Sequence, residues 1–309
     1  MAQTEVSTAP GQMAATAPRS RQVDAPRWSY LLFVLPFLVF FVLLLVIPLF
    51  WGMWLSLTKA DLFGPGKFLG IDNYVRLFKD KIFIGAIWNT VYFVILTVPA
   101  LAVIGLALAL VLNRPTRTAT VLRAIFFAST VLSVTIVTLI WRVVLIPDMG
   151  LMAAIYSWFG AKSPSFLSSA QLAMPSIAVA TIWWCIGLPM MLFLAALQQV
   201  PREIYEAAAL DNANRWRTLW FITLPSIRRT FVLVIIIQIV MQFQLFGQAQ
   251  LMTQGGPNNA SRPIVLYIYD VAFKRFDVGM GAAASEVLFA LILVAAMAQY
   301  FVSRRRGED

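Results

Sequence analysis

The sequence predicts an all-α integral membrane protein with six transmembrane helices and one prominent cytoplasmic loop. Three observations carry that expectation. Of the 309 residues, 60% are hydrophobic and only 12% are charged, more apolar side chain than a water-soluble fold of this size can cover. The apolar residues gather in runs of about 20 or more, the length that crosses a hydrocarbon layer about 30 Å thick. They do not alternate with period two, which disfavours a transmembrane barrel.

Residues 1–29 are rich in Ala, Thr, Ser, Gln and Pro and lack hydrophobic periodicity, so a disordered cytoplasmic tail is expected there. The apolar run after it is too long for a signal-peptide core. It opens a membrane domain at 30–303, with spans at about 30–57, 85–113, 121–145, 172–197, 230–251 and 283–302. Pro36 and Pro48 are expected to bend the first span, Pro99 lies within the second, and Pro175 and Pro189 are expected to interrupt the fourth. The outer loop 58–84 holds a Gly64-Pro65-Gly66 turn and an amphipathic segment at 71–78 suited to the membrane interface. Loop 146–171 offers Trp158 and Phe159 to the headgroup region. Loop 252–282 holds the string TQGGP at 253–257 and a second amphipathic segment at 264–273.

The net charge is +10, but the arginines cluster at span ends rather than along one face, which points to membrane topology and away from nucleic acid. On the six-span topology, 14 of the 24 Lys and Arg fall on tails and inner loops and nine on outer loops, with Arg142 at a helix end. The densely basic sites are the turn with Arg114, Arg117 and Arg123 and the tail at 304–309, which opens on Arg304, Arg305 and Arg306. Both termini are therefore expected in the cytoplasm. Histidine is absent and Cys185 is the one cysteine, which excludes an imidazole base, an internal disulfide and a zinc site. No phosphate-binding loop occurs; GPGKF at 64–68 has the wrong spacing. The chain is not expected to hydrolyse ATP or to hold a cofactor. Glu286, in the first turn of the predicted sixth span, is the one acid within a span, and an interfacial carboxylate accounts for it. An ion-coupled carrier, which buries acids at mid-membrane, is disfavoured.

Residues 201–225, PREIYEAAALDNANRWRTLWFITLP, form an island of charge between two apolar runs. Pro201 suits the first helical position, and Glu203 complements the dipole in the first turn. The helix is expected to run to Leu210; Asp211 and Asn212 then break it, since Asn tolerates the left-handed conformation. A second helix comes next, with Trp216, Leu219, Trp220 and Thr223 on one face, until Pro225 stops it.

Here the sequence resembles the membrane subunits of binding-protein-dependent ABC importers. Their signature is E-A-A, three residues, G, nine residues, I-x-L-P. Glu206, Ala207 and Ala208 match it, as do Ile222, Leu224 and Pro225, while Asn212 replaces the glycine. The strings DNYVRLF (72–78), WNTVYF (88–93), TQGGP, LYIYDVAF (266–273) and GMGAAAS (279–285) resemble the maltose-type, carbohydrate-uptake branch. That resemblance implies the type I ABC importer permease fold, with 201–225 as a cytoplasmic coupling loop. It implies an assembly with a second permease subunit, two ATPase subunits that bind ATP and Mg, and an extracytoplasmic solute-binding protein. In such assemblies the loop docks in a cleft of the ATPase. Glu206 is expected to meet a basic residue there, with Ala207 and Ala208 packed in the cleft and Asp211 and Asn212 at the turn.

The predicted fifth span carries Gln238, Gln242, Gln244 and Gln248, bordered by Phe246. At 100° per residue the four amides fall within an arc of about 160°. Amides beside aromatics suit a sugar's hydroxyls and C–H faces; hydrogen bonding between helices is the alternative. Asn89, Thr90, Trp183 and Trp184 are weaker candidates. An importer for glycerol phosphate or another charged solute is the rival within transport, and its path calls for basic side chains that this span lacks.

Overall fold

The computed structural model describes residues 27–305 except 62 and 65, so the predicted tail at 1–29 and the end of the tail at 304–309 lie largely outside the described residues. Helices dominate, and the described residues include two isolated β-bridges but no strand. The chain divides into two compact units, one ending at Phe50 and the other beginning at Trp51.

The first apolar run comprises α1 (Arg27–Phe41), a π-helical turn (Val42–Val46) and α2 (Ile47–Ser56). Pro36 sits inside α1, whereas Pro48 comes after the π turn. Pro48 has no N–H for the carbonyl of residue 44, and its ring crowds that group. The widened turn, in which Ile47 N–H donates to Val42 O, relieves this. Phe37, Leu44 and Phe50 are exposed, as lipid-facing side chains are.

After α3 (Asp72–Lys79) comes the central pillar α4 (Lys81–Leu112), whose 32 residues amount to about 48 Å of helix. It begins four residues before the predicted 85, because Asp80 Oδ1 accepts from Ile82 N–H at 2.8 Å and caps it. The other carboxylate oxygen accepts from Tyr267 Oη–H at 2.7 Å. Burial first, and then Asp80, push the Tyr267 phenol above its ordinary pKa, so it stays a donor. Three hydrophobic clusters are strung along α4: one around Phe83 and Ala86, one around Phe93, one around Ala109 and Leu112.

The predicted third span, 121–145, is not one helix. α5 (Arg117–Ser129) and α6 (Val134–Val144) meet at 98°. The break falls on a Ser/Thr-flanked stretch whose side chains take over backbone groups: Ser129 Oγ donates to Phe126 O at 2.8 Å, and Ser133 Oγ accepts from Ile136 N–H at 3.4 Å. Loop 146–171 also holds a helix, α7 (Leu151–Trp158). The predicted fourth span, 172–197, is a pair of helices, α8 (Ala173–Cys185) and α9 (Gly187–Gln198), bent by 45°. Pro189 lies at that bend; Pro175 does not interrupt, because it occupies the first turn of α8, where its missing N–H costs nothing.

The charged loop folds as α10 (Arg202–Leu210), α11 (Arg215–Thr218), a π turn (Leu219–Thr223) and α12 (Leu224–Ser226). Pro225 does not stop the helix. As at Pro48, a π turn precedes the proline, with Leu224 N–H donating to Leu219 O, and the break comes two residues later with a 69° bend into α13 (Arg228–Phe243). The predicted fifth span, 230–251, is then cut at 244–246 before the short α14 (Gly247–Met252). After α15 (Ile264–Tyr269) and a π turn (Asp270–Lys274), α16 (Val278–Arg305) starts five residues before the predicted 283. Asp277 caps it, accepting from Met280 N–H at 3.1 Å. Glu286 consequently lies beyond the first turn.

Among the described residues, three helices are long and apolar enough to cross a membrane, or up to six if each bent pair counts as one span.

Candidate functional site

Two places collect the residues singled out in the sequence. In the charged loop, Pro201 is the residue before α10 rather than its first member: its ψ of 139° is extended, not helical. The first arm ends at Asp211, whose N–H donates to Ala207 O and Ala209 O. Asn212 then takes φ 52°, the left-handed turn for which the signature uses glycine. Ala213 N–H reaches back to Ala208 O at 2.9 Å. Asn214 opens the second arm, its side-chain oxygen accepting from Arg217 N–H at 2.8 Å. Tyr205 Oη–H donates to Thr223 Oγ1 at 3.4 Å and links the arms.

Glu206 and Ala207 stand exposed on the first arm, but Ala208 is only 6% exposed and is already packed within this chain. Ile222 and Leu224 are half-buried, and Pro225 beside them is exposed. The residues predicted on one face differ in exposure: Trp216 and Trp220 are exposed, Leu219 is half-buried and Thr223 is buried.

The second place is a cavity of about 570 Å³. All five path candidates, Gln238, Gln242, Gln244, Phe246 and Gln248, line it. They do so although they do not share one helix: Gln244 closes α13, Phe246 precedes α14 with φ −141°, and Gln248 belongs to α14. Helical spacing therefore does not explain the convergence; the break does, by redirecting the chain between α13 and α14. Gln242 Nε2–H donates to Gln238 Oε1 at 3.1 Å, one turn away on the same helix. Gln244 Nε2–H donates to Val240 O at 3.1 Å, and Gln248 Nε2–H reaches Thr181 Oγ1 at 3.5 Å. The first two bonds run along α13, whereas the long one from Gln248 joins two helices.

The remaining wall includes Trp184, Phe127, Thr130, Met241 and Cys185, and no charged side chain lines the cavity among the described residues. Trp184 is held by its ring N–H, which donates to Leu132 O at 3.1 Å across the α5–α6 break. Phe127 and Thr130 are not among the sequence candidates; the Ser/Thr-flanked stretch is the signal that a break brings them inward. Asn89, Thr90 and Trp183 do not line this cavity. Asn89 Nδ2–H instead donates to Asn259 O and Arg262 O at 2.8 and 3.0 Å, and Thr90 Oγ1 accepts from Ile264 N–H at 2.9 Å. Both hold the loop before α15.

Residues 78–308 match the family described as binding-protein-dependent transport system inner membrane component. The chain belongs to that family. The permease is 34% identical to a diacetylchitobiose uptake system permease protein of Streptomyces coelicolor, over 94% of this chain and 86% of that one. It is 29% identical to an sn-glycerol-3-phosphate transport system permease protein of Escherichia coli, over 91% and 96%. Among solved structures, a chain of a bacterial alginate ABC transporter, crystallised with its alginate pentasaccharide-bound periplasmic protein, superposes with a TM-score of 0.79. That likeness covers 90% of this permease and 94% of the other chain at 24% identity, and it establishes the fold.

Proposed function

We propose that this permease is one membrane half of an ATP-driven importer and passes an uncharged, sugar-like solute delivered by an extracytoplasmic binding protein. The observation that carries the solute class is the 570 Å³ cavity, where neutral amides meet aromatic rings without a charged group. Amides give and accept hydrogen bonds with hydroxyls, and rings cover the apolar faces of a sugar. The diacetylchitobiose relative supports that reading. The glycerol-phosphate relative favours a second one, but a phosphate would enter this cavity without a cation to meet it.

The remaining assignments belong to the same proposal. Six spans, with each bent pair counted once, leave both termini in the cytoplasm. A second permease completes the path, and two ATPase subunits bind ATP and Mg and carry out the hydrolysis for which this chain has no phosphate loop. The loop at 201–225 couples them: Glu206 pairs with a basic group on an ATPase, Ala207 and the exposed part of the arm enter its cleft, and Asn212 sets the angle between the arms. Closure of the ATPases then biases a rigid-body switch between inward-facing and outward-facing states.

The chain's one cysteine, Cys185, lines the cavity and reports on it directly. In the assembled importer, a thiol reagent should label Cys185, and transported solute should slow that labelling. Replacing Gln242 and Gln248 by Leu should lower uptake about tenfold or more with assembly intact. Loss of assembly instead of uptake would identify the amides as packing groups.

A further inference from the structure

A second cavity, of about 430 Å³, opens where α4 and α9 end, at Leu112 and Gln198. Three arginines line it, Arg114, Arg123 and Arg202, and no carboxylate does. Arg123 is held in place: its Nε–H donates to Leu112 O and its Nη2–H to Arg114 O, each at 3.0 Å, so it covers the carbonyl end of α4. The other two differ. Among the described residues, neither the Arg114 nor the Arg202 side chain makes a hydrogen bond or an ion pair.

Like charges gathered in one recess repel, and a bound anion relieves that repulsion. A recess that sets several guanidinium groups together without a competing acid fits phosphate, which accepts from more than one guanidinium at a time. The rest of the wall is mixed: Gln198 and Tyr205 are polar, whereas Leu197 is apolar and buried. The cavity also lies level with the ends of two membrane helices, where headgroups lie. A diester with an acyl-bearing glycerol can therefore put its phosphate on the arginines and its apolar part against Pro115 and Val200, which line the recess and are not fully buried.

We propose that this recess is a binding site for a phosphate group, either of an anionic phospholipid or free in solution. Occupied, it ties the start of the coupling arm, through Arg202, to the turn between α4 and α5, through Arg114. The inference rests on the membrane reading of the chain and not on which solute is carried.

The test uses the assembled importer in nanodiscs of phosphatidylglycerol and phosphatidylcholine in equal amounts. After extraction into detergent, native mass spectrometry counts the lipid retained. The wild type should keep phosphatidylglycerol in preference to phosphatidylcholine. Arg114→Gln with Arg202→Gln should weaken that preference about tenfold or more, while the same two positions changed to Lys should keep most of it. If the wild type retains neither lipid but binds inorganic phosphate by phosphorus NMR, and the Gln variant does not, the site takes free phosphate. Equal lipid retention and equal phosphate binding by wild type and Gln variant would overturn the proposal. Uptake is not the readout, so that failure leaves the solute assignment untouched.

Discussion

At Asn212 one residue sets the turn of the charged loop at 201–225. Most side chains resist a φ of 52° because Cβ meets the backbone, and Asn is among the few non-glycine residues that tolerate it. The loop keeps its turn although the signature's glycine is missing. What the turn presents is Glu206, exposed on the first arm with no ion pair among the described residues. A carboxylate so placed is available to a cationic partner, and reversing its sign converts attraction into repulsion. Glu206→Lys should abolish ATP-driven uptake while the subunit still inserts in the membrane, as solute uptake by vesicles and immunoblotting of the membrane fraction would show. Normal uptake by that variant would remove Glu206 from the coupling contact.

At the scale of elements, the bent helix pairs build the cavity. α5 and α6 part at 98°, and α9 comes against the end of α5 because Gly187 lacks a side chain. A Cβ there would lie 2.5 Å from Phe126 O and 2.8 Å from Phe127 Cα, both backbone atoms that cannot swing aside. Gly187→Val should therefore lower stability by about 1–3 kcal/mol, read as a lower thermal midpoint of the purified importer. Gly85→Ala is the control, since a Cβ at Gly85 meets nothing within 4 Å. Equal midpoints for wild type and Gly187→Val would mean that the α5–α9 contact yields more easily than its backbone atoms imply.

For the whole molecule, the chain lacks a phosphate loop and belongs to a family of transport-system membrane components. In the proposed importer the energy comes from partner ATPase subunits. Vesicles holding this chain alone under a proton or sodium gradient should show no solute uptake above background. Adding the partner permease, the ATPases, the binding protein and internal ATP should restore it. Uptake driven by the gradient alone would return the chain to the ion-coupled carriers.

Legibility in the sequence depends on how local each signal is. Hydrophobic runs, basic ends and the Glu206 to Pro225 spacing are local, and they suffice for an all-helical membrane fold, the family and the candidate coupling loop. Caps such as Asp80 and Asp277 are legible in principle, because an acid before an apolar run satisfies free N–H groups, yet limits drawn by hydropathy alone begin too late. The π turns at Pro48 and Pro225 and the break at 244–246 depend on how a helix relieves a missing donor or packs against its neighbours, and hydropathy is blind to both. The glutamines stand out as a group in the sequence, although for a helical geometry that the chain does not adopt. Their residue types are a property of the sequence. Their convergence on one uncharged cavity is decided only by tertiary structure, because it takes two bent helix pairs and a close approach at Gly187 to bring α13, α14, α5 and α8 around the same space.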